Sequence, residues 1–327
     1  MILNGLLARF LNSEVFVSDI RLFQLNNENA CELQGEALDL EKPLQNLIEG
    51  NLEPLLGVRF LSSEYSTGRV HGGRIDTLGL DENHCPVIIE YKRSVGENVI
   101  NQGLFYLDWL MDHQAEFELL VMKQLGAKAS DLIDWDEPRL ICIAGDFTKY
   151  DAHAVQQIDR NVDLVRYRMF GHELLLFEQV NSSVSGAKPK NTKSRKPVIK
   201  AVSQSSKKST DKSYANWLSD LSPDMLALLS TVEDYIQSLG DDVVRKELKL
   251  YVAFKRLKNF ASVVTQKSRL LMYLNLNPES LALPNNASDV REKGHWGTGD
   301  LEVSIANYED FELAKPLILA AYEGRNR

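Results

Sequence analysis

The stretch GGRIDTLGLDENHCPVIIEYKR, residues 72–93, constrains the fold more than any other part of the sequence. It predicts two strands, RIDTLGL and PVIIEYK, joined by the polar turn DENH. With the turn centred near Asn83, Asp76 and Glu90 lie seven residues on either side of it. We therefore expect them to face each other across the ladder, with Cβ atoms roughly 4.5–5.5 Å apart.

Two carboxylates this close on an apolar strand repel each other and lose hydration, unless a cation lies between them. Oxygen-only ligands suit Mg²⁺ or Mn²⁺. Lys92 is two residues beyond Glu90, so the pleat places its ammonium on the same face, where it can orient an attacking water. The alternative is a surface salt bridge between Lys92 and Asp76 or Glu90, which so apolar a strand disfavours.

This arrangement resembles the PD-(D/E)XK nuclease superfamily, in which an Asp ending one strand and a Glu-x-Lys on the next build a Mg²⁺ site for phosphodiester hydrolysis. Asp76, Glu90 and Lys92 match this motif, with Ile75 where the superfamily name has Pro.

Three further residues match. Gln102 and Tyr106 are four apart on one face of the following helix and are similar to the Q-x-x-x-Y element of the RecB-like branch. Glu41, at the start of the preceding helix, stands where many members carry a metal-binding Glu. As alternatives, Glu41 simply favours a helix N-terminus, and Gln102 and Tyr106 are polar positions of an amphipathic helix.

Residues 38–121 look like the nuclease module shared by Mrr-like restriction endonucleases and the NucS group; with the strands up to residue 180 the resemblance covers about half the chain. It implies a metal-dependent DNA endonuclease in restriction, repair or defence, in which Lys92 assists in-line attack of water on phosphorus while the metal neutralises charge on the phosphate oxygens. The implied catalytic residues are Asp76, Glu90, Lys92, Gln102 and Tyr106, and the implied ligands of Mg²⁺ (or Mn²⁺) are Glu41, Asp76 and Glu90.

The chain length of 327 residues allows two domains. Strands alternating with helices predict an α/β fold, a restriction-endonuclease-like mixed sheet flanked by helices, plus a smaller α+β C-terminal domain. The expected parts are an N-terminal extension and β-hairpin (1–36), the nuclease-like domain (37–180), a flexible basic linker (181–213) and the C-terminal domain (214–327).

Charge is segregated along the chain. Residues 181–213 hold eight Lys and one Arg against one Asp, a net of +8, which leaves −17 on the rest of a chain whose formal charge is −9. This Ser-, Lys- and Pro-rich segment is either a solvated tether or a source of salt-sensitive attraction to DNA phosphates.

In the C-terminal half we expect a capped helix in SPDMLALLSTVEDYIQSLG, a β-meander from residue 248 to 276, and a final helix packed on that sheet. In the meander, aromatic residues alternate with basic ones. The mixture predicts either a base-stacking surface or an ordinary sheet with aromatic residues inside and basic ones outside. The aromatic residues are Tyr251, Phe254, Phe260 and Tyr273. Substrate targeting and formation of a homodimer are both open for this domain.

Three scattered cysteines suggest no disulfide framework and fit a reducing cytoplasm. No apolar run approaches the roughly 20 residues that span a bilayer, so we expect no membrane association. An amphipathic first helix or an unprocessed leader is expected at the N-terminus rather than a signal peptide. Two other functions compete with the endonuclease: a non-catalytic DNA-binding or scaffolding protein on a nuclease fold, and a membrane-associated accessory protein.

Overall fold

The computed structural model describes residues 20–26, 29–37, 41–92, 99–180, 214–295 and 297–325. The predicted N-terminal helix or leader and the predicted basic linker lie outside these residues. Within the described parts of the chain, no helix is both long and apolar enough to cross a membrane.

The predicted N-terminal hairpin is present. β1 (Leu22–Asn26) and β2 (Asn29–Leu33) pair antiparallel, with Asn26 opposite Asn29. The chain then continues into β3 (Gly35–Glu36), which joins a different sheet.

That second sheet is mixed and has seven strands. The strands after β3 are β4 (Val58–Ser66), β5 (Arg74–Asp81), β6 (Pro86–Lys92), β7 (Arg139–Ala144), β8 (Asn161–Phe170) and β9 (Leu174–Gln179). Their order is β3-β8-β7-β6-β5-β4, with β9 also beside β8. β4, β5 and β6 pair antiparallel, whereas β6, β7 and β8 run parallel.

Helices cover both faces of this sheet, as predicted. On one face Leu44 and Ile48 pack against Ile89 and Tyr91, and on the other Leu107 and its neighbours pack against Leu78 and Ile88. The helices are α1 (Glu41–Glu49), α2 (Leu52–Leu56), α3 (Gly68–His71), α4 (Val99–Asp112), α5 (Gln114–Leu125), α6 (Ala127–Asp131) and α7 (Lys149–Gln157).

The helical spacing of Leu44, Leu47, Ile48, Leu52, Leu55 and Leu56 predicts one helix with a single buried face, but the structure has two helices. The first ends near Gly50, where the Asn51 side chain donates to the carbonyl of Leu47. Leu47 is exposed rather than part of the buried face.

The elements of the C-terminal domain are α8 (Tyr214–Ser219), α9 (Pro223–Ser238), β10 (Val244–Glu247), β11 (Val252–Lys255), β12 (Asn259–Gln266), β13 (Arg269–Leu274), a 3₁₀ turn (Pro278–Ser280), β14 (Ala287–Asp289), β15 (Leu301–Ile305) and α10 (Tyr308–Glu323). Its strands form a six-stranded antiparallel sheet of order β10-β11-β12-β13-β15-β14, with α9 and α10 packed on it. Side chains cap both helices: the hydroxyl of Ser222 accepts from the backbone amide of Met225, and the side chain of Asn307 accepts from the backbone amide of Asp310.

The aromatic residues of the meander are all buried, so the ordinary-sheet alternative is correct for them and they offer no base-stacking surface. Lys255 departs from that alternative because it too is buried. Its ammonium lies 3.3 Å from the carboxylate of Asp163 on β8, which also pairs with Arg139 at 2.5 Å. The C-terminal sheet therefore contacts the mixed sheet through a buried charge cluster.

The same interface holds the turn of the β5–β6 hairpin. The Tyr251 hydroxyl and the Asn259 side-chain amide both donate to Asn83, at 3.0 and 2.7 Å, and the Asn259 backbone amide donates to Glu82. One end of the hairpin is thus fixed against the C-terminal domain, which leaves the opposite end at the edge where Asp76 and Glu90 lie.

Candidate active site

The register of the hairpin brings Asp76 and Glu90 together. Thr77 pairs with Ile89 and Leu80 with Pro86, so the next step of the ladder places Asp76 opposite Glu90, as the sequence predicts. The turn residue His84 adopts a left-handed conformation, φ 62°, and the amide of Asp81 donates to the carbonyl of Cys85. This compact turn fixes the register.

Glu90 is fully buried, and its two oxygens differ. Oε1 accepts a hydrogen bond from the backbone amide of Asp76 at 3.2 Å, whereas Oε2 has no hydrogen-bond partner among the described residues. Burial, and then the negative charge of Asp76, raise the pKa of Glu90 to about 9. Without a cation, Glu90 is therefore protonated at neutral pH.

Asp76 is less buried. Its Oδ2 accepts from the backbone amide of Tyr91 at 3.0 Å. Burial raises the pKa of Asp76, an effect that the Tyr91 amide and the positive charge of Lys92 oppose. Asp76 is thus the carboxylate of the pair that ionises first.

Lys92 ends β6 and lies near both carboxylates, since its charge lowers the pKa of each. Its ammonium lies 3.7 Å from Oε2 of Glu41, the first residue of α1. In this structure Glu41 therefore contacts the lysine, and its role as a metal ligand stays a prediction.

Gln102 and Tyr106 share one face of α4, and the amide of Gln102 donates to the Tyr106 hydroxyl at 3.3 Å. That hydroxyl also accepts from the backbone amide of Arg74, at the start of the strand that carries Asp76. A Cβ on Gly73 would lie 2.5 Å from the Tyr106 ring, so only glycine allows this approach. Tyr106 therefore holds the start of β5 in place.

Two residues of this region were not predicted from the sequence. Gln45, one turn after Glu41, is buried and donates to the backbone carbonyl of Asp76 at 2.8 Å. The sequence signal for Gln45 was its position four residues after Glu41, which places both side chains on the same face of a helix. Glu64 on β4 lies between the pairs Ser63–Thr77 and Tyr65–Ile75, so the register places it beside Asp76.

No pattern in the sequence marks Glu64. It has a positive φ of 53°, uncommon for a residue other than glycine, and its carboxylate binds Lys42 at 2.9 Å and Arg74 at 3.0 Å. Its negative charge raises the pKa of both Asp76 and Glu90. Glu64 thus adds to the negative potential of the site while its own oxygens are held by two cations.

The residues present fit a divalent cation that binds through two protein carboxylates. Across the described ranges, no three His, Cys, Asp or Glu side chains are gathered as a metal site. Mg²⁺ commonly binds through one or two carboxylates, with waters and substrate oxygens completing its shell. The buried, unpartnered Oε2 of Glu90 beside Asp76 is the kind of oxygen that such an ion requires.

Comparisons with known proteins match both halves of the chain. Residues 215–324 match the family model described as "Domain of unknown function (DUF5655)". An uncharacterized protein of Haemophilus influenzae is 30% identical over 313 residues, which cover 92% of this chain and 99% of that protein.

Two solved structures are also similar. A repair endonuclease from Pyrococcus abyssi matches with a TM-score of 0.27 and 17% identity over 40% of this chain and 49% of its own. EndoMS in a complex with double-stranded DNA matches with a TM-score of 0.23 and 17% identity over 45% and 64%. Each match covers less than two thirds of the other chain, and at these scores it carries no argument about activity.

Proposed function

This chain belongs to the same protein family as the uncharacterized Haemophilus influenzae protein, and we propose that it is a metal-dependent DNA endonuclease of the PD-(D/E)XK type. The observation that carries the proposal is the pair of facing carboxylates Asp76 and Glu90, one of them buried with an unpartnered oxygen, beside the ammonium of Lys92. Burial of the two carboxylates and the repulsion between them lower the stability of the protein. A purely structural role of these strands therefore does not explain the pair.

In this proposal Asp76 and Glu90 bind one Mg²⁺ or Mn²⁺, and Glu90 loses its proton on binding. The bound cation supplies positive charge that neutralises the phosphate oxygens during hydrolysis. Lys92, held by Glu41 at the same edge, orients the attacking water with its ammonium. Glu41, whose carboxylate contacts Lys92, is the further ligand in this proposal.

The hydrogen-bonded pair of Gln102 and Tyr106 has a positioning role. Tyr106 fixes the start of β5 through the amide of Arg74, and Gln102, which is half-buried, donates to the same hydroxyl. Arg74 is exposed and pairs with Glu64, so it is placed to contact a DNA backbone.

The experiment that tests the proposal is cleavage of linear, supercoiled, single-stranded, branched and mismatched DNA with Mg²⁺ or Mn²⁺. Asp76→Ala and Lys92→Ala are expected to lose cutting while keeping the fold. Lys123→Ala changes an exposed lysine in the last turn of α5, a helix that carries none of the proposed site residues, so it serves as the matched control and is expected to cut like the wild type.

Two results would count against the proposal. One is cutting that continues unchanged in Asp76→Ala, which would place the activity elsewhere or in a contaminant. The other is DNA binding without cutting of any substrate under any metal, which would favour the non-catalytic DNA-binding protein that the same fold allows.

A further inference from the structure

A second concave site lies between the two domains, at the opposite end of the β5–β6 hairpin. It is a cleft of about 1190 Å³. Its walls come from β4, the hairpin turn and α6 on one side and from the β12–β13 turn on the other. His84 lies in this cleft before the start of β6, whereas Glu90 lies four residues along that strand, roughly 13 Å beyond Pro86, so the cleft is distinct from the proposed active site.

The cleft is basic in a chain whose net charge is negative. Its charged and titratable lining residues are Arg59, His84, Lys128, Lys267 and His295, and no Asp or Glu lines it. Within the described residues, Arg59, Lys128 and Lys267 form no ion pair. Glu53 and Asp81 act on Arg59 without forming an ion pair with it. A cleft lined by charges of one sign focuses a potential that attracts ions of the opposite sign.

Arg59, His84 and Lys128 act on one another. The pKa of His84 is lowered by burial first and then by the positive charges of Arg59 and Lys128. The carboxylate of Asp81 opposes this effect on His84, but it is buried and accepts hydrogen bonds from the amides of Asn83 and Cys85. This wall therefore presents cationic side chains to the cleft, while its one carboxylate does not line it.

The other wall offers aromatic and apolar surface. The accessible ring is that of His295, which is half-buried and stacks on the buried ring of Tyr273, with centroids 4.5 Å apart and planes at 14°. Leu271 and Leu125 extend that surface. Thr265 adds a buried hydroxyl that lines the cleft and has no hydrogen-bond partner among the described residues. An unpaired buried hydroxyl costs stability unless a ligand or water satisfies it.

We propose that this interdomain cleft binds a nucleotide, a small ligand that joins a phosphate to a planar base. Inorganic phosphate matches only the cationic wall, and an uncharged nucleoside matches only the ring-lined wall. The volume is somewhat above the roughly 300–1,000 Å³ of pockets that bury a small organic ligand, so a nucleotide fits with room to spare. Because His84 belongs to the turn of the hairpin that ends in Asp76 and Glu90, a ligand here contacts the element that positions those carboxylates.

The test is titration calorimetry of the full chain, in buffer with EDTA, with the four common nucleoside monophosphates and with ATP. Inorganic phosphate and adenosine are the comparison ligands. Lys128→Glu and Lys267→Glu are expected to weaken nucleotide binding at least tenfold, since both lysines are exposed and the changes spare the core. Thr265→Val, a change of similar shape, tests the unpartnered hydroxyl and is expected to weaken binding severalfold.

Two control variants test whether nucleotide binding depends on the cleft itself. Lys123→Glu makes the same charge change on α5 outside the cleft and is expected to bind nucleotides like the wild type. Asp76→Ala removes a proposed metal ligand and is also expected to leave nucleotide affinity unchanged, so failure of the endonuclease proposal and failure of this one are distinguishable. Both variants bind normally if the cleft is the site.

The proposal is overturned by the absence of saturable nucleotide binding, or by phosphate or adenosine binding as tightly as a nucleotide. It is also overturned if Lys123→Glu weakens binding as much as Lys128→Glu, since the effect is then one of general charge. Binding confined to oligonucleotides, with affinity that grows with their length, identifies the cleft as part of a DNA track and not as a nucleotide site.

Discussion

Asp76 and Glu90 are each held by a backbone amide of the opposite strand. The amide of Asp76 donates to Oε1 of Glu90 at 3.2 Å, and the amide next to Glu90, that of Tyr91, donates to Oδ2 of Asp76 at 3.0 Å. The two carboxylates are therefore positioned by the ladder itself, before any cation binds. Preorganisation of this kind lowers the cost of assembling a metal site.

Metal binding is expected to depend steeply on pH. Glu90 has a pKa of about 9 without metal, so a cation must displace its proton at any lower pH. The apparent affinity for Mg²⁺ or Mn²⁺ should therefore rise roughly tenfold per pH unit between pH 6 and 9, with about one proton released. Calorimetry in buffers of different ionisation enthalpy measures this proton directly.

Two variants sharpen the measurement. Glu90→Gln removes the titrating group and should bind weakly with little pH dependence. Glu173→Gln, an exposed carboxylate beyond β8, is the matched control and should behave like the wild type. A pH-independent affinity in the wild type, with no proton released, would show that Glu90 is already ionised and that the assignment is wrong.

The same pKa predicts a stability effect in metal-free protein. Glu90 is protonated in the fold up to about pH 9 but ionises near 4.5 when unfolded, so its contribution to stability is full below pH 4.5 and falls as pH rises towards 9. Glu90→Gln has no carboxyl group to ionise, so its stability does not fall in this way as pH rises. The free energy of unfolding of the variant minus that of the wild type should grow with pH, by up to about 1.4 kcal/mol per pH unit.

Urea unfolding with EDTA at pH 5, 7 and 9 measures this difference. The free energy of unfolding of Glu173→Gln should change with pH by the same amount as that of the wild type. The prediction fails if Glu90→Gln is less stable than the wild type at pH 9, because the carboxylate would then be ionised in the fold and stabilised by a neighbour.

The hairpin register was predictable because a strand has a period of two and the polar turn DENH marks its centre. That information sufficed to pair Asp76 with Glu90. The break between α1 and α2 also has a local cause, the hydrogen bond from the Asn51 side chain to the carbonyl of Leu47. It was not predicted, because the helical spacing of the leucines continues on both sides of Asn51. Burial of Lys255 was not predictable, since its partner Asp163 is 92 residues away and lies in the other sheet.

Gly73→Ala is expected to disturb the proposed site through Tyr106. The added Cβ would lie 2.5 Å from the tyrosine ring, so the ring must move and its hydrogen bond with the amide of Arg74 is lost. We expect a loss of roughly 1–3 kcal/mol in the free energy of unfolding, as for other overpacked positions, together with weaker metal binding. Denaturant unfolding and Mn²⁺ titration measure the two effects.

Gly294→Ala is the matched control, because a Cβ there meets no atom within 4 Å. Combining Gly73→Ala with Tyr106→Leu tests the cause, since two residues in contact give non-additive effects. The double variant should lose less than the sum of the two single losses. Strict additivity would mean that Gly73 acts on something other than the tyrosine.

Lys255→Ala is expected to weaken the contact between the domains. Burial opposes the ionisation of Asp163, but Lys255 and Arg139 hold its pKa well below the usual range. Removal of one cation leaves buried negative charge less compensated, at a cost of roughly 3 kcal/mol. Because the C-terminal sheet also holds the hairpin turn through Asn83, this variant should unfold in two steps by calorimetry, whereas the exposed Lys267→Ala should unfold like the wild type. An unchanged single transition in Lys255→Ala would show that the apolar and amide contacts alone join the domains.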